Sequence, residues 1–478
     1  MNAQIVKLFA AVLVLLGILF AFTAYWSVVD APGLEANTAN RRPLLEEQRI
    51  ERGPILTSDG ETIARSIPKG SGGDKIWVRR YPQGELFGNP VGYSYVERGR
   101  VGVELSHNAE LVGERPEFIA ILDQLSGAEQ RGDKLVTALD ARLQRVATEA
   151  LGGEAGAVVA LEPKTGKVKA MVSTPTYDPN LIPDRYGALN TDPAAPLFNR
   201  ATQAGYPPGS TMKVVTAAAA LDSDEYRPQT IVNGDSPKTI SGVPLNNSGQ
   251  VSYGDIDLTS ALTNSVNTAF AVIGERLGSQ TMLDYMERFG FNQKPDIDYP
   301  SFQLAASGVY DGRQLLTSRD SIDVGRVAIG QERLLVTPLQ MAEVAATVGN
   351  GGERMCPRFW SKVVDSDGRV DELDPVRCAK VMDSKTADEL NTMMQSVVSE
   401  GTGTAAALSG IDVAGKTGTG EVSGRPGCSL PNQAWFIGFA PADDPKIAVA
   451  ATVECTSGYG GTVAAPIAAQ VMRQALSG

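Results

Sequence analysis

Residues 434–453 read AWFIGFAPADDPKIAVAATV, two apolar runs, Ala434–Ala440 and Ile447–Val453, joined by a turn rich in proline and aspartate. Neither run alternates apolar with polar side chains, so a sheet built from them must be covered on both faces. Ahead of them Lys416-Thr417-Gly418-Thr419 opens another strand, and behind them Ala464–Leu476 reads as a helix. A second strand pair lies far upstream, Gly156–Leu161 and Val168–Val172, around a turn at Lys164-Thr165-Gly166. The helix before that pair starts at Asp140, a suitable cap, and repeats apolar residues at Leu143, Val146, Ala147 and Leu151. Between the two ends, Gly209 to about Leu408 is mostly helical in pattern. The prediction is an α+β fold: an antiparallel sheet with strands from both ends of a domain, helices on both faces, and a mainly helical subdomain.

Composition narrows the chemistry. The 478 residues carry 43 Lys+Arg against 55 Asp+Glu, a formal charge of −12. That balance argues against nucleic acid as a partner, because phosphate binding wants a basic surface. There is one histidine, His107. A lone histidine excludes multi-histidine metal sites and leaves little room for a Ser-His-Asp triad. Nucleophilic chemistry must therefore take its base from Lys, Asp, Glu or Tyr, and no metal or cofactor is expected. His107 itself reads as structural.

Leu8–Val29 carries no charge over twenty-two residues. At 1.5 Å per residue that is about 33 Å, enough to cross a hydrocarbon core of roughly 30 Å. Lys7 precedes it, which by the positive-inside rule puts the N-terminus in the cytoplasm and the rest outside. A cleaved signal peptide is the rival reading, but its apolar region is usually shorter. The expected organisation is a tail at 1–7, an anchor at 8–29, a small strand-rich module at 30–135 that begins with a polar linker, Asp30–Asn40, and one large domain at 136–478. Cys356 and Cys378 flank two strands around Asp365-Ser366-Asp367-Gly368, and Cys428 and Cys455 bracket the two apolar strands. Strand pairing then predicts disulfides 356–378 and 428–455. The Asp-Ser-Asp-Gly segment is a turn, since its glycine comes too early for a calcium loop.

The sharpest chemical signal is Pro207-Pro208-Gly209-Ser210-Thr211-Met212-Lys213, followed by the strong helix former Val-Val-Thr-Ala-Ala-Ala-Ala-Leu. Ser210 then stands at a helix N-terminus, where the dipole favours negative charge on its oxygen, with Lys213 on the same face. Burial and a second cation lower a lysine's pKa, so the pair can supply nucleophile and base without histidine. Ser66-Ile67-Pro68-Lys69 has the same spacing but reads as a loop coincidence. Ser265-Val266-Asn267 follows in a stretch of helical pattern, and Lys416-Thr417-Gly418 opens the tail sheet. The earlier Lys164-Thr165-Gly166 is a turn with the same letters.

Ser-x-x-Lys, Ser-x-Asn and Lys-Thr-Gly in that order resemble the motifs of penicillin-binding proteins and class A β-lactamases. Arg52-Gly53, Gly102-Val103-Glu104, Leu139–Gln144, Tyr177-Asp178-Pro179-Asn180, Asn199-Arg200-Ala201, Gly330-Gln331 and Trp435–Phe439 resemble class B penicillin-binding proteins, in family order. The Asn40–Gln48 stretch is most similar to an actinobacterial branch of that family. No Glu-x-x-Leu-Asn string follows Asn267, unlike a class A β-lactamase, and the stretch before Asp140 is too short for a glycosyltransferase domain. Glu332 stands where the family often has glycine, and Asn264 precedes Ser265 without obvious consequence.

The resemblance implies a penicillin-binding transpeptidase fold and a peptidoglycan D,D-transpeptidase of wall synthesis and cell division. Ser210 would attack the D-Ala-D-Ala carbonyl, Lys213 would take its proton, and Ser265 would relay it to the leaving amine. Asn267 would hold the peptide, with Lys416, Thr417, Gly418 and Thr419 binding the terminal carboxylate. The N–H groups of Ser210 and Thr419 would form the oxyanion hole. Implied partners are stem peptides as donor and amine acceptor, β-lactams as covalent inhibitors, and a membrane glycosyltransferase or division protein. A D,D-carboxypeptidase would use the same residues, and a scaffold with little catalysis is the third reading.

Overall fold

The computed structural model describes residues 2–29, 42–115, 130–316, 322–422 and 428–477, so the Asp30–Asn40 linker lies outside the described residues. A helix spans Asn2–Ala24 and continues as a wider turn through Tyr25–Val29. It is long and apolar enough to cross a membrane over Ala3–Ser27.

The large sheet has five antiparallel strands in the order Ala414–Glu421, Asn432–Ala440, Ile447–Thr456, Gly156–Leu161, Val168–Thr174. Both chain ends feed it, as the apolar runs predict. Side chains alternate between two cores. Val158, Ala160, Phe436, Val449 and Ala451 join Leu143, Ala147, Val471 and Met472, from helices Ala141–Leu151 and Ala464–Leu476. Val159, Met171, Trp435, Ile437 and Ala450 join Leu339, Met341 and Ala345, from helix Pro338–Gly349, on the opposite face. Asp140 caps its helix by accepting from the Leu143 N–H at 2.9 Å.

The middle of the chain supplies helices Lys213–Asp222, Leu258–Thr263, Asn267–Arg288 and Ser384–Ser399. It also contains short ladders that the helical pattern does not foresee: Ile231–Asn233 with Asp255–Asp257, and Lys238–Ile240 with Val243–Leu245. Three-residue strands are too short to show a period.

The N-terminal module is built on a six-stranded sheet, and two of its strands come from far along the chain. Trp360–Val364 pairs with Lys134–Thr137, and Val370–Glu372 lies outside it. These two strands are the hairpin expected between Cys356 and Cys378. Its turn is held by Asp365, whose carboxylate accepts from the N–H groups of Asp367 and Arg369. Both disulfides take the predicted pairing, Cys356–Cys378 and Cys428–Cys455. Ser66 and Pro68 lie in strand Thr62–Lys69, so that stretch is a strand and not a loop. Pro68 is tolerated there because only its Ile76–Arg80 side is paired at that point.

Polar contacts bolt the module to the large domain. Asn180 grips the Tyr81 backbone from both sides, at 3.1 and 2.9 Å, and Gln303 accepts from the Gly102 N–H at 2.6 Å. Inside the module, burial alone would raise the Glu104 pKa. Arg79 and Arg52, at 2.6 and 2.7 Å, outweigh it and hold that carboxyl down at about 2.

His107 belongs to the same joint. Its Nε2 lies 3.1 Å from Asp298 of the large domain, and Glu110 stands 3.7 Å from Nδ1. Burial alone would lower its pKa, but the two carboxylates outweigh this and lift it to about 9. A raised folded-state pKa means stabilisation that is fully present below the unfolded value of about 6.5 and lost as pH climbs through about 9. Thermal melts of wild type and His107→Ala should therefore differ most below about pH 6.5 and converge toward pH 9. β-Lactam labelling of His107→Ala at neutral pH should match wild type, since the ring is part of a joint and no base.

Candidate active site

The prolines at 207 and 208 end the preceding strand-like segment, and Gly209–Met212 forms one tight 3₁₀ turn before helix Lys213–Asp222. Ser210 thus sits in the turn that leads directly into the helix, at the helix N-terminus that the sequence pattern gives it. Gly209 holds φ +52, and a Cβ there would lie 2.4 Å from the Thr419 carbonyl oxygen. Behind it, a Cβ on Gly330 would come within 1.9 Å of the Gly209 carbonyl. Both glycines are required by close backbone approach. Glu332, the departure from the family pattern, holds φ +66, which is a conformation glycine adopts freely.

The stretch around Ser265 departs from continuous helix. Helix Leu258–Thr263 stops, Ser265 takes φ +57, and helix Asn267–Arg288 begins. A left-handed serine costs roughly 1–2 kcal/mol. The break turns oxygens toward Lys213, which is fully buried. Lys213 Nζ lies 2.7 Å from the Ser265 carbonyl, 3.2 Å from Ser265 Oγ, 2.7 Å from Asn267 Oδ1 and 3.1 Å from Ser210 Oγ. Lys416, also fully buried, donates to Ser265 Oγ at 3.0 Å and to the Thr417 carbonyl at 3.0 Å. One hydroxyl therefore bridges two lysines.

Burial, with the Lys416 charge second, pushes the Lys213 ammonium well below the ordinary lysine range. Burial brings Lys416 down to about 7. The arrangement offers a hydroxyl nucleophile, an amine able to stand neutral, and a second hydroxyl placed to pass a proton.

Gly418 has no room for a side chain: a Cβ would meet the Pro208 carbonyl at 2.6 Å. Thr417 is buried, with its hydroxyl 2.6 Å from that of Thr402, and Thr419 accepts from the Gly460 N–H at 3.2 Å. Direct hydrogen bonds thus gather Ser210, Lys213, Ser265, Asn267 and Lys416, while Thr417, Gly418 and Thr419 continue the Lys416 strand beside them. The decoys stand elsewhere: Ser66 donates to the Arg52 carbonyl in the N-terminal module, and Lys164-Thr165-Gly166 turns between two strands.

Sequence reasoning missed the residues that hold the Ser210 turn from behind. The carboxylate of Glu454 accepts from the Tyr206 hydroxyl and, at 2.9 Å, from Arg200 Nε. Trp435 donates from its indole to the Pro207 carbonyl at 3.0 Å and meets the Tyr206 ring edge-on. An acid at the end of the apolar run before Cys455 was the available signal for Glu454.

The penicillin binding protein transpeptidase domain matches residues 156–473, and the penicillin binding protein A dimerisation domain matches residues 52–135. Peptidoglycan D,D-transpeptidase PbpA of Mycolicibacterium smegmatis is 34% identical, over 100% of this chain and 99% of its own. The PbpA of Mycobacterium tuberculosis is 33% identical over 100% of both chains. Among solved structures, penicillin-binding protein A from M. tuberculosis as its ceftriaxone acyl-enzyme superposes with a TM-score of 0.81 at 31% identity, covering 90% of this chain and 100% of that one. Its penicillin G acyl-enzyme gives 0.79 at 31% identity, covering 89% and 100%. With the transpeptidase match spanning most of its length and full-length relatives a third identical, the chain belongs to the penicillin-binding-protein transpeptidase family.

Proposed function

We propose that the protein cross-links peptidoglycan stem peptides through an acyl-enzyme on Ser210. The observation that carries this reading is the 3.1 Å contact of Ser210 Oγ with the buried Lys213 Nζ, backed by Lys416 through Ser265. Neutral Lys213 takes the hydroxyl proton as Oγ bonds to the carbonyl carbon of the terminal D-Ala-D-Ala linkage. The oxyanion that forms faces the N–H groups of Ser210 and Thr419, donors worth about 3–4 kcal/mol each where tested. The close approach of Gly209 to Thr419 supports that pairing. The proton held by Lys213 then passes through Ser265 Oγ to the leaving nitrogen. The C–N bond breaks, D-Ala departs and an ester remains on Ser210.

The amine of a second stem peptide attacks that ester and gives up a proton along the same path. An amide cross-link forms and Ser210 regains its hydroxyl proton. Lys416, Thr417 and Thr419 bind the donor's terminal carboxylate, and Gly418 gives the strand room beside the nucleophile. Asn267 spends its carbonyl on Lys213 and one amide proton on the Asn246 carbonyl, 3.1 Å away, so its second amide proton is the one left for the donor backbone. A β-lactam acylates the same oxygen and leaves it blocked.

Residues 1–7 form a cytoplasmic tail, 8–29 the anchor, 30–135 a pedestal and 136–478 the catalytic domain outside the membrane. The support is Lys7 ahead of the apolar helix together with two disulfides beyond it. In this reading the enzyme serves wall synthesis in cell division beside a membrane glycosyltransferase. Incubation of the enzyme with a stem-peptide donor and an amine acceptor, followed by product separation, tests the reaction. One D-Ala released per cross-linked dimer is expected; trimmed donor without dimer would make the protein a carboxypeptidase.

A further inference from the structure

Strands Thr62–Lys69 and Ile76–Arg80 form a hairpin at one end of the module's six-stranded sheet, with Ile76–Arg80 as the outer strand. Its register sets Arg65 opposite Arg80, Ile67 opposite Val78 and Lys69 opposite Ile76. Residues paired across a ladder share a face, and so do every second residue along each strand. One face of the hairpin therefore presents three cations around three half-buried aliphatic side chains. Lys75 adds a fourth exposed cation at the turn, its ammonium 4.3 Å from the centre of the Trp77 ring. The exposed acid of the turn is Asp74.

Like charges directly opposite each other destabilise a ladder. Nothing nearby neutralises the Arg65–Arg80 pair: Glu47 and Glu104 are spent on Arg52, Arg79 and Arg100. Among the described residues, none of the four cations is ion-paired. A cluster of unpaired cations on a chain of net charge −12 calls for an anionic surface outside the protein. A second copy of the same face would be repelled by its own charge.

The chain leaving the apolar helix arrives at this hairpin. Residues 30–41 lie between Val29 and the helix Arg42–Glu47, and twelve residues reach at most about 40 Å. Just after that helix, the Gln48 carbonyl accepts from the Trp77 N–H of the outer strand at 2.7 Å. The basic face is thus tethered close to the membrane that the anchor crosses.

We propose that the Arg65–Arg80 face of this hairpin docks on the anionic lipid headgroups of the membrane surface and sets the standing orientation of the module over the bilayer. The inference rests on reading 8–29 as the anchor. Cations near such a surface each favour the docked state roughly fivefold, and the aliphatic side chains between them lose water on contact. The acidic remainder of the chain is repelled by the same surface, which keeps this face turned toward it.

Energy transfer tests it on the full-length protein in nanodiscs, from a donor dye on Ser71→Cys in the hairpin turn to an acceptor on the lipid headgroups. Transfer should be higher in nanodiscs of about one-third phosphatidylglycerol than in pure phosphatidylcholine, and should fall to the phosphatidylcholine value in about 1 M salt, where the Debye length is about 3 Å. Adding Arg65→Gln, Lys69→Gln and Arg80→Gln together should cut the ratio of docked to undocked protein by roughly 10²-fold, and Arg65→Gln alone by roughly fivefold. Arg65→Gln also relieves the like-charge pair, so it should melt no lower than wild type in detergent, and all variants should keep wild-type β-lactam labelling. Equal transfer in the two lipids, or a lipid difference that survives in both the triple variant and Arg65→Gln, overturns the proposal. The anchor reading fails separately, if the full-length protein is stripped from bilayers by alkaline carbonate.

Discussion

Ser210→Ala should abolish covalent labelling by a fluorescent penicillin and lower cross-linking by about 10⁴-fold or more, since it removes the hydroxyl proposed to form the ester. The second hydroxyl in contact with Lys213, Ser265 Oγ, already bridges Lys213 at 3.2 Å and Lys416 at 3.0 Å. Peptide mapping of the labelled wild type should find the adduct on the Gly209–Lys213 segment. Undiminished labelling of a folded Ser210→Ala protein would overturn the serine assignment. Because the hydroxyl is small and the turn is fixed by backbone contacts to Thr419 and Gly330, the variant should keep the melting temperature of wild type.

The second large effect concerns Lys213. Lys213→Ala should slow acylation by about 10²–10⁴-fold, the usual range for a positioned base. Lys213→Arg should be no better, because a guanidinium keeps its proton at any working pH. Wild-type acylation should rise with pH as Lys213 loses its proton, at a pH well below the ordinary lysine range, and then weaken as pH passes about 7 and Lys416 loses the charge that holds the carboxylate. Burial leads the causes of the Lys213 shift and Lys416 comes second. Lys416→Gln should therefore move the rising limb to higher pH, since removing a like charge favours the ammonium, while weakening carboxylate binding. A rising limb that stays in place in Lys416→Gln would show that the two lysines are not coupled.

Legibility in the sequence followed the range of the physics. The unbroken apolar runs at 434–440 and 447–453 announce a sheet buried on both faces, because strand period and burial are local properties. The Asp140 cap, the Asp365 turn and both cysteine pairings were readable for the same reason: each depends on neighbours in the chain or on one strand pair. The scarcity of histidine directed attention to Lys213, and the decoy motifs could be set aside by their prolines and turns.

The Ser265 break was not readable. DLTSALTNSVNTAFAVIGERL has a helical pattern, and nothing within it calls for a left-handed serine. The conformation persists because Lys213, 52 residues away, and Lys416, 151 residues away, bind the oxygens it exposes. Likewise the hairpin Trp360–Val364 and Val370–Glu372 was readable, but not its place in the module's sheet, where Trp360–Val364 pairs with Lys134–Thr137.

The amino-acid order by itself thus determined the sheet, its two covered faces, the disulfides and the Ser210–Lys213 pair proposed as nucleophile and base. Only the tertiary structure decided how Ser265 bridges two lysines, which side chains brace the Ser210 turn, and that Thr402 meets Thr417. Local periodicity and capping are encoded within a few residues, whereas a strained backbone and a shared proton exist only once distant segments have been packed against each other.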